Sequence, residues 1–154
     1  AKLLLNNNFT IATAESCTGG YLAHLLTSVA GSSAYYRGSI IAYSNTVKVT
    51  ELGVDEVQIN QFGAVSESVV LQMAKGVREK FKTDFALATS GVAGPEGGSK
   101  DKPVGTVWVA LAGPKGVYAK KYLFEKSRDR NIRRSALAAL SILRRSIQGQ
   151  IVHD

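Results

Sequence analysis

Apolar residues recur along the chain with two different periods, and each change of period marks a new element. Leu3, Leu4 and Leu5 followed by three asparagines read as the end of a helix. Thr10 to Ala14 are small or β-branched and predict a short buried strand. Glu15 to Gly20 is polar and small, so the chain turns there. Leu22, Leu25, Leu26 and Val29 then repeat at three-and-four spacing, predicting a helix from about Thr18 to Val29 that ends in Ala30-Gly31-Ser32-Ser33. A second strand is expected over 34–43, with Tyr35, Tyr36, Ile40, Ile41 and Tyr43. Ser44-Asn45 should cap a short helix closed by Gly53. Asp55 and Gln58 have the offset of a capping box, with Val54 and Ile59 as its staple and Gly63 as its stop.

Ser66 should cap a long helix to about Lys82, whose stripe of Val69, Val70, Met73, Ala74, Val77 and Phe81 makes Met73 a core residue. A third strand is expected over 85–89, a glycine-rich loop over 90–103, and strands over 105–112 and 117–124 joined as a hairpin by Gly113-Pro114-Lys115-Gly116. A last helix starts at Ser127 and buries Ile132, Ala136, Leu140, Leu143 and Ile147. Helices alternating with strands, then a hairpin, predict one three-layer α/β/α domain over residues 1–154. Its sheet should be mixed but mostly parallel, with about five strands. Ligands of such sheets bind beyond the carboxyl ends of the strands. Ser16, Tyr43 and Ser90 end the first three, which predicts one shared site.

Composition narrows this picture. Of 154 residues 45% are hydrophobic and 20% charged, enough apolar surface for a core and too much for a disordered chain. The single cysteine cannot form an internal disulfide, and no apolar run suits a signal peptide or a membrane span, so a soluble cytoplasmic protein is expected. The net charge of +7 fits an anionic ligand, a nucleic acid or merely a basic surface. Aromatics are not interleaved with basic residues, and no zinc-ligand cluster is visible, which sets nucleic acid behind the other two.

Three groups of residues can carry chemistry. Ser16 becomes a nucleophile if a lysine of depressed pKa takes its proton, and Lys48, one short helix beyond Tyr43, is a candidate base. Backbone amides near Cys17 and Thr18, at the start of a helix, would then face a developing oxyanion. The same spacing also fits a solvated Lys48 and a packing Tyr43. Cys17 is the rival nucleophile, but His24 falls inside a helix and His153 in the tail, so a buried thiol is the simpler reading. The glycines of 90–98 let backbone approach a ligand, or simply form a loop; the spacing is not that of a Walker A motif. Arg130, Arg133 and Arg134 oppose the dipole at a helix start and call for a phosphate, a carboxylate or Asp129 as compensation.

The runs TIATAESCTGG at 10–20, AGSSAYYRGSIIAYSNTVK at 30–48, GAVSE at 63–67, SGVAGPEGGSKDKPVGTVW at 90–108 and DRNIRR at 129–134 resemble the CinA C-terminal domain, or nicotinamide-nucleotide amidase, family. The resemblance covers nearly the whole chain, with the runs in the family's order. It implies an α/β/α sandwich that deamidates nicotinamide mononucleotide to nicotinic acid mononucleotide and ammonia, in pyridine-nucleotide salvage, without metal or cofactor. Carried over, Ser16 would be the nucleophile, Lys48 the base, and Tyr43 an aid to proton transfer or substrate positioning. Thr18, Gly19, Ser44, Asn45, Ser90, Gly91, Gly94, Thr106 and Arg130 would bind substrate, Arg130 through the phosphate. A homodimer is implied, and in the family this domain occurs alone or behind an N-terminal domain that can carry a nucleotide-hydrolase activity. A catalytically silent nucleotide-binding module is the alternative within the same family.

Overall fold

The computed structural model describes residues 1–150. Five strands, β1 (Ile11–Glu15), β2 (Tyr36–Ile41), β3 (Phe85–Gly91), β4 (Thr106–Gly113) and β5 (Gly116–Leu123), form one sheet in the order β2-β1-β3-β4-β5. β1 runs parallel to both β2 and β3, while β3–β4 and β4–β5 are antiparallel. The sheet is therefore mixed as expected, but evenly divided rather than mostly parallel. The reason is that β4 enters from a loop at the carboxyl end of β3 and so must run back along it. Beyond the expected third strand, Ser90 and Gly91 also belong to β3, paired with Trp108 and Val107.

The helices are α1 (Lys2–Asn6), α2 (Tyr21–Thr27), α3 (Asn45–Leu52), α4 (Glu56–Phe62), α5 (Glu67–Phe81) and α6 (Arg128–Ile147). A 3-10 turn over Ser32–Ala34 takes in Ala34, the first residue expected of the second strand, which runs over Tyr36–Ile41 instead of 34–43. Two cores separate the layers. Ile11, Phe85, Leu87, Val107, Val109 and Leu111 pack against α1, α2 and α6. On the opposite face the same strands present Ala12, Ala14, Ala86, Ala88, Ala110 and Ala112 to Leu52, Ile59, Val69, Val70, Met73 and Val77 of α3, α4 and α5. The period of two thus sends large side chains to one face and mostly methyl groups to the other, where Trp108 and Ile40 are the bulkier exceptions. That thin alanine face draws the second helical layer close to the sheet.

Local signals mostly act as predicted. Ser44 accepts from the Val47 amide at 3.2 Å and Gly53 closes α3 in the left-handed region. Asp55 caps α4 through the Val57 amide, but the reciprocal half of the capping box is absent. The Asp55 amide donates to Gln72 Oε1 and Gln58 Oε1 accepts from Ser68, because α5 lies alongside and competes for both groups. Ser66 starts α5 without a side-chain cap; its hydroxyl donates to the Gly63 carbonyl.

The approach of α5 to α3 is closest at Gly76, where a Cβ would lie 1.9 Å from the Leu52 carbonyl oxygen. Only glycine permits this contact. Alanine in a helix interior gains about 1 kcal/mol over glycine, but an overlap with backbone cannot be relieved by a rotamer change. Gly76→Ala should therefore give a net loss of roughly 1–3 kcal/mol, read as a lower urea midpoint at unchanged slope. A neutral or raised midpoint would show that α3 is not seated against α5 at this point.

Candidate active site

The chain leaves β1 for β2 on one side of it and returns to β3 on the other. This reversal of strand order at β1 opens a ligand position at its carboxyl end. Strand parity then decides what is offered there. Ala14 and Ala88 face α5, so Ser16 and Ser90, two residues further on, point to the same side. Thr106 lies on that side as well, two residues ahead of Trp108 on β4. Three hydroxyls thus gather at one end of the helical face that carries α3.

α3 brings a lysine to these hydroxyls. Lys48 is buried, with 1% of its surface exposed. Its Nζ lies 3.1 Å from Ser16 Oγ, 2.8 Å from the Ala42 carbonyl and 3.5 Å from the Tyr43 carbonyl. Burial lowers its pKa, since an ammonium loses hydration there that two carbonyl dipoles replace only in part. The solvated Lys48 allowed by the sequence is thereby excluded. Ser16 itself is half-buried, and its amide donates to the Thr89 carbonyl.

Tyr43 is 61% exposed, and it meets Lys48 through its carbonyl rather than its ring. Its hydroxyl accepts from Arg128 at 3.0 Å, and the same guanidinium donates to the Gly94 carbonyl at 2.8 Å. Gly94 is confined between Val104 and the Lys126 carbonyl with a φ of +87°, a position no side chain suits. Arg128 was not among the arginines singled out in the sequence, and it is the one that touches the site-bearing segments. Arg130 is exposed and pairs with Glu125 at 3.0 Å, while Arg134 takes the other oxygen of that carboxylate at 2.9 Å. The compensation called for at the start of α6 is therefore mainly Glu125, whose carboxyl the two arginines hold below its usual range. Asp129 pairs with Arg133. Nothing in the local sequence separates Arg128 from its neighbours; only the position of the Gly94 loop does. That loop is pinned by buried Asn131, whose Nδ2 donates to the carbonyls of Ala93 and Glu125.

The start of α2 differs from expectation. Its amides are not free for a ligand, because the Glu15 carboxylate accepts from Gly20, Leu22 and Ala23. Thr18 is buried and its hydroxyl serves Glu15 and Thr89, so what it can offer a ligand is its amide. Among the described residues, no backbone carbonyl or side-chain oxygen accepts from the amides of Cys17 and Thr18. Gly19 follows, exposed and with positive φ. The Ser90 hydroxyl donates to the Ala64 carbonyl and ties β3 to the start of α5. Gly91 lies against Val107, too close for a side chain. Ser44 spends its side chain on the α3 cap, and Asn45 is exposed in the first turn. Among the described residues, Thr106 is the exception to the pairing of buried hydroxyls: its Oγ1 has no partner there. A buried hydroxyl left without a partner costs stability, which a ligand at this face would recover. His24 lies exposed on α2 beside Tyr21, and His153 falls outside the described residues.

A mixed α/β/α domain with a serine and a buried lysine at its strand-order reversal is the class this arrangement defines. The CinA C-terminal domain model matches residues 1–147, and the chain belongs to that family. It is 52% identical over 147 residues to a CinA-like protein of Cytophaga hutchinsonii, covering 96% of this chain and 35% of that protein. A CinA-like protein of Salinibacter ruber is also 52% identical, over 138 residues, covering 90% and 34%. The chain thus spans about a third of the length of these curated relatives. Among solved structures, the competence/damage-inducible protein CihA of Agrobacterium tumefaciens superposes with a TM-score of 0.91 at 37% identity, covering 94% of this chain and 88% of that one. A CinA superfamily protein of Klebsiella pneumoniae gives 0.92 at 31% identity, covering 96% and 92%. Among the described residues no helix is long and apolar enough to cross a membrane.

Cys17 is buried beside the nucleophile candidate, and desolvation pushes its thiol up to about 12. Native protein at pH 8 should accordingly resist alkylation by iodoacetamide, with full modification only in denaturant. Rapid labelling of the native chain would restore Cys17 as a nucleophile.

Proposed function

We propose that this chain hydrolyses the carboxamide of nicotinamide mononucleotide, giving nicotinic acid mononucleotide and ammonia. The observation that carries the reading is the hydrogen-bond geometry of Lys48. As an ammonium, Nζ donates to Ser16 Oγ and to two carbonyls. As a neutral amine it keeps two N–H donors for the carbonyls of Ala42 and Tyr43, and its lone pair then faces the Ser16 hydroxyl. Burial favours that neutral form. The lysine is thus held in the orientation a general base needs.

In this reading Ser16 Oγ attacks the amide carbon as its proton passes to Lys48. The oxyanion takes the amides of Cys17 and Thr18, as preorganised donors whose orientation is already fixed. Collapse breaks the C–N bond, and the Lys48 proton goes to the leaving nitrogen, releasing ammonia. Water then adds to the acyl-serine, giving its proton to Lys48, and departure of the Ser16 oxygen returns both side chains to their starting state. The orphan hydroxyl of Thr106 and the backbone around Gly91–Gly94 support a substrate position on the same face. For the anionic end of the substrate, Arg128 is better placed than Arg130, because it already bridges Tyr43 and Gly94. Arg130 would have to exchange Glu125 for the phosphate. Tyr43, joined to Arg128, acts in substrate positioning. The substrate itself is taken from the family resemblance and the positive charge of the chain.

Ammonia release from nicotinamide mononucleotide should be abolished by Ser16→Ala and fall roughly 10²–10⁴-fold in Lys48→Ala. Because the active lysine is neutral, kcat/KM should rise with pH through a limb below the ordinary lysine value and level off above it. Saturable binding of the nucleotide with no ammonia released by the parent chain would replace the amidase with a binding module. Arg128→Ala should mainly raise KM for the phosphorylated substrate, with a smaller rise in Arg130→Ala. Equal losses on nicotinamide riboside, which lacks the phosphate, would remove the phosphate contact from both.

A further inference from the structure

Glu15 is fully buried, and the reaction steps ask nothing of its chemistry. A carboxylate out of water costs several kcal/mol unless its oxygens are filled. Here they are. Oε2 accepts from Thr18 Oγ1 at 2.7 Å and from the amides of Gly20 and Leu22 at 3.0 Å each. Oε1 accepts from the Ala23 amide at 2.7 Å, with the hydroxyls of Thr13 and Ser39 at 3.5 Å. A helix of seven residues does not require a buried charge for its cap, since a serine at its start would serve. What Glu15 adds is a bond across the turn. It stands before Ser16 in the chain and holds residues 18, 20, 22 and 23 after it, so residues 16–20 are closed into a ring.

The ring is fixed to the sheet as well. The single Thr18 hydroxyl proton goes to Glu15, so the Thr89 hydroxyl, 2.7 Å away, must be the donor to Thr18. The Ser16 amide donates to the carbonyl of that same Thr89. Gly19 closes the turn onto the Ser16 carbonyl. After these bonds, the groups without an oxygen acceptor in the turn are the amides of Cys17 and Thr18, and the Ser16 hydroxyl stands at Lys48. We propose that Glu15 is the positioning residue of the site: its carboxylate oxygens set the 16–20 turn so that the Ser16 hydroxyl and the amides of Cys17 and Thr18 address one substrate carbonyl. This rests on the amidase reading of the site.

Glu15→Gln tests it with little change of shape. One position of the carboxylate becomes an NH2 group that cannot accept from the backbone, so at least one amide bond of the turn is lost. With nicotinamide mononucleotide as substrate, kcat should fall roughly 10–100-fold with KM within about twofold of the parent. The pH limb assigned to Lys48 should stay in place. Thr18→Val, which removes one donor and leaves the three amides on Glu15, should show a smaller loss of kcat in the same direction and serves if Glu15→Gln does not fold. The rate of covalent labelling of Ser16 by a fluorophosphonate should fall in parallel with kcat, a readout independent of the amide substrate. Unchanged kcat and labelling in folded variants, with only a lower melting temperature, would make Glu15 a structural cap and overturn the proposal. A displaced pH limb would overturn it too, since the carboxylate would then act by its charge on Lys48. A parent chain that neither releases ammonia nor labels at Ser16 overturns the amidase reading first and this one with it; an active parent with an equally active variant overturns this one alone.

Discussion

An amine withheld from water is the constraint on which the rest of the structure turns. Lys48 occupies a place where its charge is poorly supported, and such a residue must be held there by everything around it. The helix that carries it is capped at one end by Ser44 and closed at the other by Gly53. Its last carbonyl is pressed against a glycine of α5. The two carbonyls that meet the amine come from the residues just after β2. Moving any of these surfaces apart would admit water and lift the burial that lowers the lysine pKa. Stability and function are therefore coupled through α3 more tightly than through the outer elements of the fold.

The sheet serves this constraint by dividing its labour between faces. The face beneath α5 is rich in alanine, and the approach of the helical layer this allows brings Lys48 within reach of Ser16. The other face carries bulk, and at its end a satisfied carboxylate surrounded by hydroxyls. One side holds polar groups that are paired. The other exposes groups with capacity left over, among them the Thr106 hydroxyl. Buried polar groups without partners are rare in folded proteins, and this one sits on the face where the parity of the strands places Ser16.

Much of this was legible in the chain. The small and β-branched run of β1, the serine before Asn45 and glycine after Leu52, and the stripe of α5 all announced their elements because each is decided within a few residues. The Ser16–Lys48 pair was visible as a possibility only, since 32 residues separate them and burial of the lysine depends on the packing of α5. Long-range competition accounts for what was misread. Gln58 and Asp55 fit a capping box until Ser68 and Gln72 arrive from α5. The amides of α2 looked free until Glu15, read only as part of a polar turn, proved to occupy them; an acid just before a helix that starts on glycine is the signal that pointed there. Arg128 and Arg130 are equivalent in sequence, and the difference lies in which loop each meets.

Glu15 and Ser16 are consecutive, so they necessarily face opposite sides of the sheet. A forward slip of β1 by one residue against its neighbours would turn each to the other face, bringing the Glu15 carboxylate toward Lys48 and Ala14 to the place of Glu15 at the start of α2. The displaced carboxylate would pair with the amine, while the start of α2 would lose its cap. Misregistered chains would thus lose both the α2 cap and the Ser16–Lys48 contact. Two neighbouring side chains with opposite requirements act as a parity check on the assembly of the whole sheet.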